Sequence, residues 1–165
     1  MKIPIYQIDA FTSKVFSGNP AAVCPLGEWL DDSTLQAIAQ ENNLSETAFF
    51  VPEANGYHIR WFTPVKEIEL CGHATLAAAF VIFNYFDTSS SEIKFSSRSG
   101  KLTVSWEQDL LAMDFPSKAP APCRTPKELL EGLKMEPLEV LCSDDYFVVF
   151  SSEKDICDLS PNMER

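Results

Sequence analysis

Carboxylates and imidazoles are the side chains that most often move protons near neutral pH, and this sequence offers one of each where a fold would hold them firmly. Glu46 stands in Asn42-Asn43-Leu44-Ser45-Glu46-Thr47-Ala48-Phe49, where a helical run ends and a β-rich run begins. Such junctions place functional groups on a rigid scaffold. Leu44, Phe49 and Phe50 around it would shield the carboxyl from water, which suits proton transfer. By position alone, a solvated, helix-flanking glutamate is the simpler reading.

The second group is Cys71-Gly72-His73-Ala74, directly ahead of the apolar run HATLAAAFVIFNYF. If that run is a helix, the amides of Gly72, His73 and Ala74 are unpaired at its N-terminus and form a site for a carboxylate. A helix N-terminus favours an anion by about 0.3 to 1 kcal/mol when exposed and up to about 2 when partly buried. His73 is a candidate to hydrogen-bond a substrate or relay a proton; a structural histidine capping the helix is the alternative. A thiolate at Cys71 could serve as a base, but a buried, non-catalytic thiol is the better fit.

Asn19 and Ser45 are weaker candidates: Gly18-Asn19-Pro20 could line a pocket, while Ser45 could equally cap a turn. His58, beside Arg60 on a β-rich run, reads as structural. A metal site drawn from Cys24, His58, Cys71 and His73 fits no common zinc spacing, so no metal is expected.

The elements that must position these groups are legible. Residues 3–11 and Ala21 to Cys24 read as strands around a Ser17-Gly18-Asn19-Pro20 turn. A helix near 33–42 carries Leu35, Ile38 and Ala39 on one face, with Asp32 or Ser33 to cap it and Asn42-Asn43 to end it. Thr47 to Val51 and Tyr57 to Thr63 form a hairpin across Pro52 to Gly56. Residues 73–86, apolar almost all round, must be a buried helix; fourteen residues span about 21 Å, well short of a bilayer. Glu92 to Ser97, Lys101 to Trp106 and Leu110 to Phe115 are three more strands. The expected class is α+β, a strand-rich domain wrapped on one apolar helix.

At PSKAPAPCRTP the composition shifts to proline, which sustains neither helix nor strand and marks a linker or domain crossing over 117–126. Residues 1–116 thus form one lobe, and 127–165 supply a helix near Pro126 to Met135, strands at Leu138 to Cys142 and Tyr146 to Ser151, and a polar end from Asp155, too little for a second domain.

Composition narrows the partners. A net charge of −11, with thirteen Lys and Arg scattered among 165 residues, leaves no basic stripe for nucleic acid or anionic membrane. Five cysteines without a CxxC pair read as reduced thiols, and neither a cleavable apolar segment nor a bilayer-length apolar stretch is seen. The expectation is a cytoplasmic chain.

Several blocks, taken in order, resemble the phenazine-biosynthesis PhzF-like family: Phe11-Thr12 with Phe16-Ser17-Gly18-Asn19-Pro20-Ala21-Ala22-Val23, Glu41 to Phe49, Arg60-Trp61-Phe62-Thr63-Pro64, and Leu70-Cys71-Gly72-His73-Ala74-Thr75-Leu76-Ala77. The likeness covers residues 1–115 well and 129–165 more loosely. It implies a diaminopimelate-epimerase-like fold of two similar lobes, each a sheet curled round a central helix, with the active site between them. It also implies that Glu46 is the acid/base, that His73 belongs to the substrate pocket, and that a small cyclic or amino-acid-like carboxylate is isomerised without metal or organic cofactor. The related epimerases and proline racemases use a cysteine at the place of Cys71, but the Gly-Asn-Gly that follows it there is Gly72-His73-Ala74 here.

Two departures temper the expectation. Nothing here matches the acidic-proline-threonine-glycine-serine motif of the family's second lobe, and Asp158 to Arg165 looks like the start of a second-lobe helix that is then cut. Residues 1–165 are therefore expected to be inactive or nearly so alone, and to expose apolar surface at 127–151 that a second copy or a partner chain would cover. The alternative is a non-enzymatic interaction module that keeps the family fold.

Overall fold

A computed structural model describes residues 2–162, which divide into two compact units, Met1–Phe115 and Pro116–Arg165. The first unit runs β1 (Tyr6–Ala10), β2 (Asn19–Pro25), α1 (Asp32–Asn42), β3 (Glu46–Glu53), β4 (Gly56–Phe62), β5 (Glu67–Ile68), α2 (Gly72–Tyr85), β6 (Glu92–Ser97), β7 (Gly100–Glu107) and β8 (Leu110–Asp114). These strands make one eight-stranded mixed sheet of order β1-β2-β3-β4-β6-β7-β8, with β5 paired to β4.

Two of its pairings are parallel, β2 with β3 and β4 with β6, and each is bridged by one helix. Parallel crossovers are right-handed. Because β2–β3 and β4–β6 point in opposite directions while advancing the same way across the sheet, that rule sends α1 and α2 to opposite faces. The core divides accordingly: Leu35 and Ala39 of α1 cluster with Cys24, Phe49, Val51 and Phe62, whereas α2 clusters with Ala21, Val23, Ala48, Phe50, Ile59, Trp61, Ile93, Phe95, Leu102 and Val104. Alternation along β3 thus sends Glu46, Ala48 and Phe50 one way and Phe49 the other. Phe49, expected beside Glu46, instead packs under α1.

Helix α2 is buried on nearly every side because it has almost no polar stripe: Ala74, Ala77, Ala78, Ala79, Val81, Ile82 and Phe83 are all in the core. It touches β1 at one edge of the sheet and β8 at the other, as well as β2, β3 and β6. A flat sheet cannot reach one helix from both edges, so the sheet is curled round it. The fold is α+β, a curled mixed sheet around a central helix.

Three local details differ from the sequence reading. Asp31, not Asp32 or Ser33, caps α1: its Oδ1 accepts from the Thr34 amide at 2.9 Å, while Asp32, already in the first turn, accepts from Arg60 Nη2 at 2.8 Å. Asn43 ends α1 in the left-handed region at φ 49°, as its side chain tolerates. Asn19 and Pro20 begin β2 instead of forming a turn, opposite Ala10 and Asp9. Gly18, at φ 82°, makes the bend just before them, where a Cβ would lie 2.2 Å from the Ala10 carbonyl oxygen.

The second unit contains β9 (Ala121–Pro122), α3 (Lys127–Leu133), β10 (Glu139–Cys142), β11 (Tyr146–Val149) and α4 (Glu153–Asp158), with the strands in one antiparallel sheet of order β11-β10-β9. The proline-rich segment is therefore not wholly without pairing, since Ala121 and Pro122 lie against Cys142 and Leu141. Helix α4 forms earlier than the helix expected from Asp158 onward, because Ser152 caps it by accepting from the Asp155 amide. Residues 163–165 of that expectation lie outside the described residues. Leu138, Tyr146, Phe147 and Ile156 are exposed.

Candidate active site

Three elements converge at one end of α2. Strand β3 starts on Glu46 at the α2 face of the sheet, β2 starts on Asn19 and Pro20 beside it, and α2 presents Cys71 as its N-cap with His73 in its first turn. The parallel pairing that sets Ala21 against Glu46 makes the two strand starts neighbours. Positions far apart in sequence meet there.

The His73 ring is nearly buried, its side chain 10 % exposed against 17 % for Glu46. Its Nε2 lies 3.1 Å from Glu46 Oε2 and 3.4 Å from Ser45 Oγ, and its Nδ1 lies 3.4 Å from Cys71 Sγ. Ser45 Oγ in turn donates towards the Pro20 carbonyl at 3.4 Å, with Asn19 Oδ1 at 3.5 Å. The Glu46–His73 contact is within ion-pair distance yet off the line of a hydrogen bond, so the buried Oε2 has no hydrogen-bond partner in the protein. A buried carboxylate oxygen left in that state can accept a hydrogen bond from a ligand donor.

Protonation follows from these contacts. Burial lowers the pKa of His73, against the opposing pull of the Glu46 charge and of the Pro20 carbonyl. The neutral ring turns Nε2 towards Glu46 and Ser45 and Nδ1 towards the Cys71 sulfur, with one of the two nitrogens carrying the proton. Burial pushes the Cys71 thiol up to about 12; the Ala74 and His73 amides pull it down, but the Glu46 carboxylate adds to the rise. Cys71 is a neutral S–H donor here, not a thiolate base. Cys24, under α1, is likewise pushed up to about 12 by burial. Alkylation with iodoacetamide at neutral pH should therefore mark the exposed Cys157 first and leave Cys24 and Cys71 unmodified, as peptide mass spectrometry would read; rapid labelling of Cys71 would overturn the assignment.

The remaining candidates are placed as follows. Gly72 is half-buried beside Met113 and Phe115, and Ala74 points its methyl into the core and can offer only its amide. His58 stands edge-on to Trp29 with Glu53 4.0 Å away, and Cys24 is in the other core cluster, so neither joins Cys71 and His73. The set that does assemble is Glu46, Cys71 and His73, whose donor atoms lie within 4.8 Å of one another. Two participants escaped the sequence reading. The Pro20 carbonyl carries no side-chain signal at all. Thr75, whose buried hydroxyl donates to the Cys71 carbonyl at 2.6 Å and so fixes the turn ahead of the helix, is visible in sequence only as a polar residue in an apolar run.

The description "phenazine biosynthesis-like protein" fits the chain over residues 8–165, which takes in β2, β3, α2 and every residue of this cluster. The chain belongs to the phenazine biosynthesis-like protein family. Within it, an uncharacterized isomerase of Pseudomonas aeruginosa is 56 % identical over 165 residues, covering all of this chain and 64 % of that protein. A crystal structure of a PhzF-family phenazine biosynthesis protein of Enterococcus faecalis superposes with a TM-score of 0.90 at 44 % identity, covering 98 % of this chain and 62 % of that one. A predicted epimerase of Pseudomonas aeruginosa, at 19 % identity, shares the fold, with a TM-score of 0.72 over 97 % of this chain and 63 % of that one. The chain thus spans less than two thirds of the length of these relatives. Among the described residues no helix is long and apolar enough to cross a membrane.

Proposed function

We propose that the chain carries the acid/base wall of a PhzF-like isomerase, in which Glu46 moves a proton on a small cyclic or amino-acid-like carboxylate. The observation that carries this reading is the buried Glu46 Oε2, unpartnered and 3.1 Å from His73 Nε2. A carboxylate so placed can take a proton from a substrate carbon and return it to another position, while the neutral His73 donates its Nε2 proton in a hydrogen bond to the substrate. Ser45, just ahead of β3, touches that ring, and Asn19 at the start of β2 backs Ser45. The first turn of α2 is assigned to the substrate carboxylate through its Gly72 amide and through the His73 and Ala74 amides, which it would share with the Cys71 sulfur, and helix α2 is long enough to sustain the dipole that favours it. The isomerase name of the Pseudomonas relative supports the reaction class.

A single wall does not enclose a substrate. The Glu46–Cys71–His73 cluster supplies proton-handling groups on one side only, and catalysis of this kind draws on positioning and desolvation from both sides of the substrate. Residues 1–165 alone are accordingly assigned little or no turnover. Solvent deuterium appearing in a candidate carboxylate incubated with this chain in D2O would remove that assignment; its absence here, with exchange by a protein of the relatives' length, supports it.

The exposed Leu138, Tyr146, Phe147 and Ile156 support association through the second unit, with a second copy or another chain. Light scattering at high concentration should give a mass above 18.5 kDa, and a clean monomer counts against association. The free cysteines fit a reducing, cytoplasmic compartment. An interaction module that keeps the fold without catalysis remains the competing reading, favoured by the same exposed residues, and it predicts no effect of replacing Glu46.

A further inference from the structure

We infer that Glu46, Cys71 and His73 form a binding site for a borderline-soft divalent cation such as Zn2+, which on seating occupies the acid/base group and shuts the site. The binding rests on geometry alone. Only its inhibitory consequence rests on the reading of Glu46 as the acid/base.

The donor set is one thiol, one imidazole and one carboxylate, a combination that suits zinc and disfavours magnesium and calcium, which take oxygen ligands. Zinc holds sulfur at about 2.3 Å and nitrogen or oxygen at about 2.0 to 2.2 Å, so neighbouring donors in a tetrahedral shell stand about 3.3 to 3.6 Å apart. In this cluster Cys71 Sγ is 3.4 Å from His73 Nδ1, His73 Nε2 is 3.1 Å from Glu46 Oε2, and all donors lie within 4.8 Å of one another. One ion uses one imidazole nitrogen and these two distances belong to different nitrogens, so the shell closes by rotation of the Cys71 side chain towards Nε2 or of the Glu46 side chain towards Nδ1. The backbone is fixed: Glu46 begins a strand paired on both sides, and Cys71 and His73 are held by the first turn of α2 and by the Thr75 hydroxyl on the Cys71 carbonyl. The buried Glu46 Oε2, without a hydrogen-bond partner, is an independent sign that the cluster can accept a cation.

Binding is balanced as follows. The Cys71 sulfur gives its proton to solvent as the metal–sulfur bond forms, and the imidazole nitrogen that binds keeps its lone pair for the metal while the ring proton resides on the other nitrogen. Glu46 contributes a carboxylate oxygen. Three protein ligands leave one position for water, and Glu46 can no longer exchange a proton with a substrate.

The test uses Co2+ as a coloured stand-in for Zn2+, added to the whole chain. One equivalent should raise a sulfur-to-cobalt charge-transfer absorption, and Zn2+ should bleach it. Cys71→Ser should abolish the band, and Glu46→Gln should weaken Co2+ binding by at least about tenfold, since loss of even a group that only orients a ligand costs about 10- to 100-fold. A chain with Cys123, Cys142 and Cys157 all replaced by Ser should keep the band, which decides the matter even if Cys71→Ser fails to fold. No band in the wild type, a band lost with those three outer cysteines, or unchanged affinity in Glu46→Gln would overturn the site. Binding with these signatures but no inhibition of a proton-exchanging protein of the relatives' length would leave the metal site standing and sink the acid/base role of Glu46.

Discussion

Glu46→Gln, placed in a protein of the relatives' length, should lower kcat for proton exchange by about 10²- to 10⁴-fold, the usual contribution of a positioned general acid/base. The amide keeps the shape and the polar surface of the carboxylate but cannot take a proton. Its effect should fall on kcat more than on KM, because the α2 amides and His73, which are assigned to holding the substrate, are untouched. The variant should also fold as well as the parent: the Oε2 it alters makes no hydrogen bond in the protein, so no native bond is lost with it. Unchanged exchange in a folded Glu46→Gln protein would remove Glu46 from the chemistry and favour the interaction-module reading. Equal loss of binding and turnover would instead make Glu46 a substrate-holding group.

Trp61→Ala should be the most damaging of the core truncations, costing about 3 to 5 kcal/mol, a large share of the about 5 to 15 kcal/mol that holds an ordinary domain together. Trp61 is the largest of the fully buried side chains, 1 % exposed, and stands on β4 between Ala48 of β3 and Ile68 of β5, facing α2. With a urea dependence of about 1 to 3 kcal/mol per molar, the unfolding midpoint should fall by more than about 1 M. Trp61→Phe should cost far less than the difference in ring size suggests. The indole Nε1 is buried without a partner, a state that itself costs about 1 to 3 kcal/mol, and phenylalanine removes that N–H along with the extra ring. If Phe proves as damaging as Ala, the unpartnered N–H is not a native cost; if Ala costs under about 1 kcal/mol, the Trp61 ring is not closely packed against α2.

The residues of the site were legible in sequence as types and neighbours, but their assembly was not. The stretch around Glu46 and the Cys71 to Ala74 turn could each be read as a functional segment, because a helix-to-strand junction and the N-terminus of an apolar helix are local features. That Ser45 and His73 meet over the Pro20 carbonyl depends on the parallel register of β2 with β3, a non-local pairing that leaves no mark in either strand's own sequence. Phe49 shows the same limit in miniature. Next but two to Glu46 in a strand, it had to point the other way by simple alternation, yet which face held α2 was set by the handedness of two crossovers. Asp31, too, is one of three adjacent cap-competent residues, and only the backbone path decides which of them reaches the Thr34 amide.

What the sequence determined by itself was composition of the parts: an apolar helix that had to be buried, strands that had to surround it, and an acid and a histidine at the ends of elements. Local propensity and hydrophobic period dictate these, since each depends on residues within a few positions of one another. What only the tertiary structure decided was the chemistry at the helix start. The curl of the sheet brings Glu46, Cys71 and His73 within 4.8 Å, and burial then lowers the pKa of the imidazole and keeps the thiol protonated. Desolvation is a property of the assembled surroundings, so no reading of Cys71 or His73 in the linear chain could supply it.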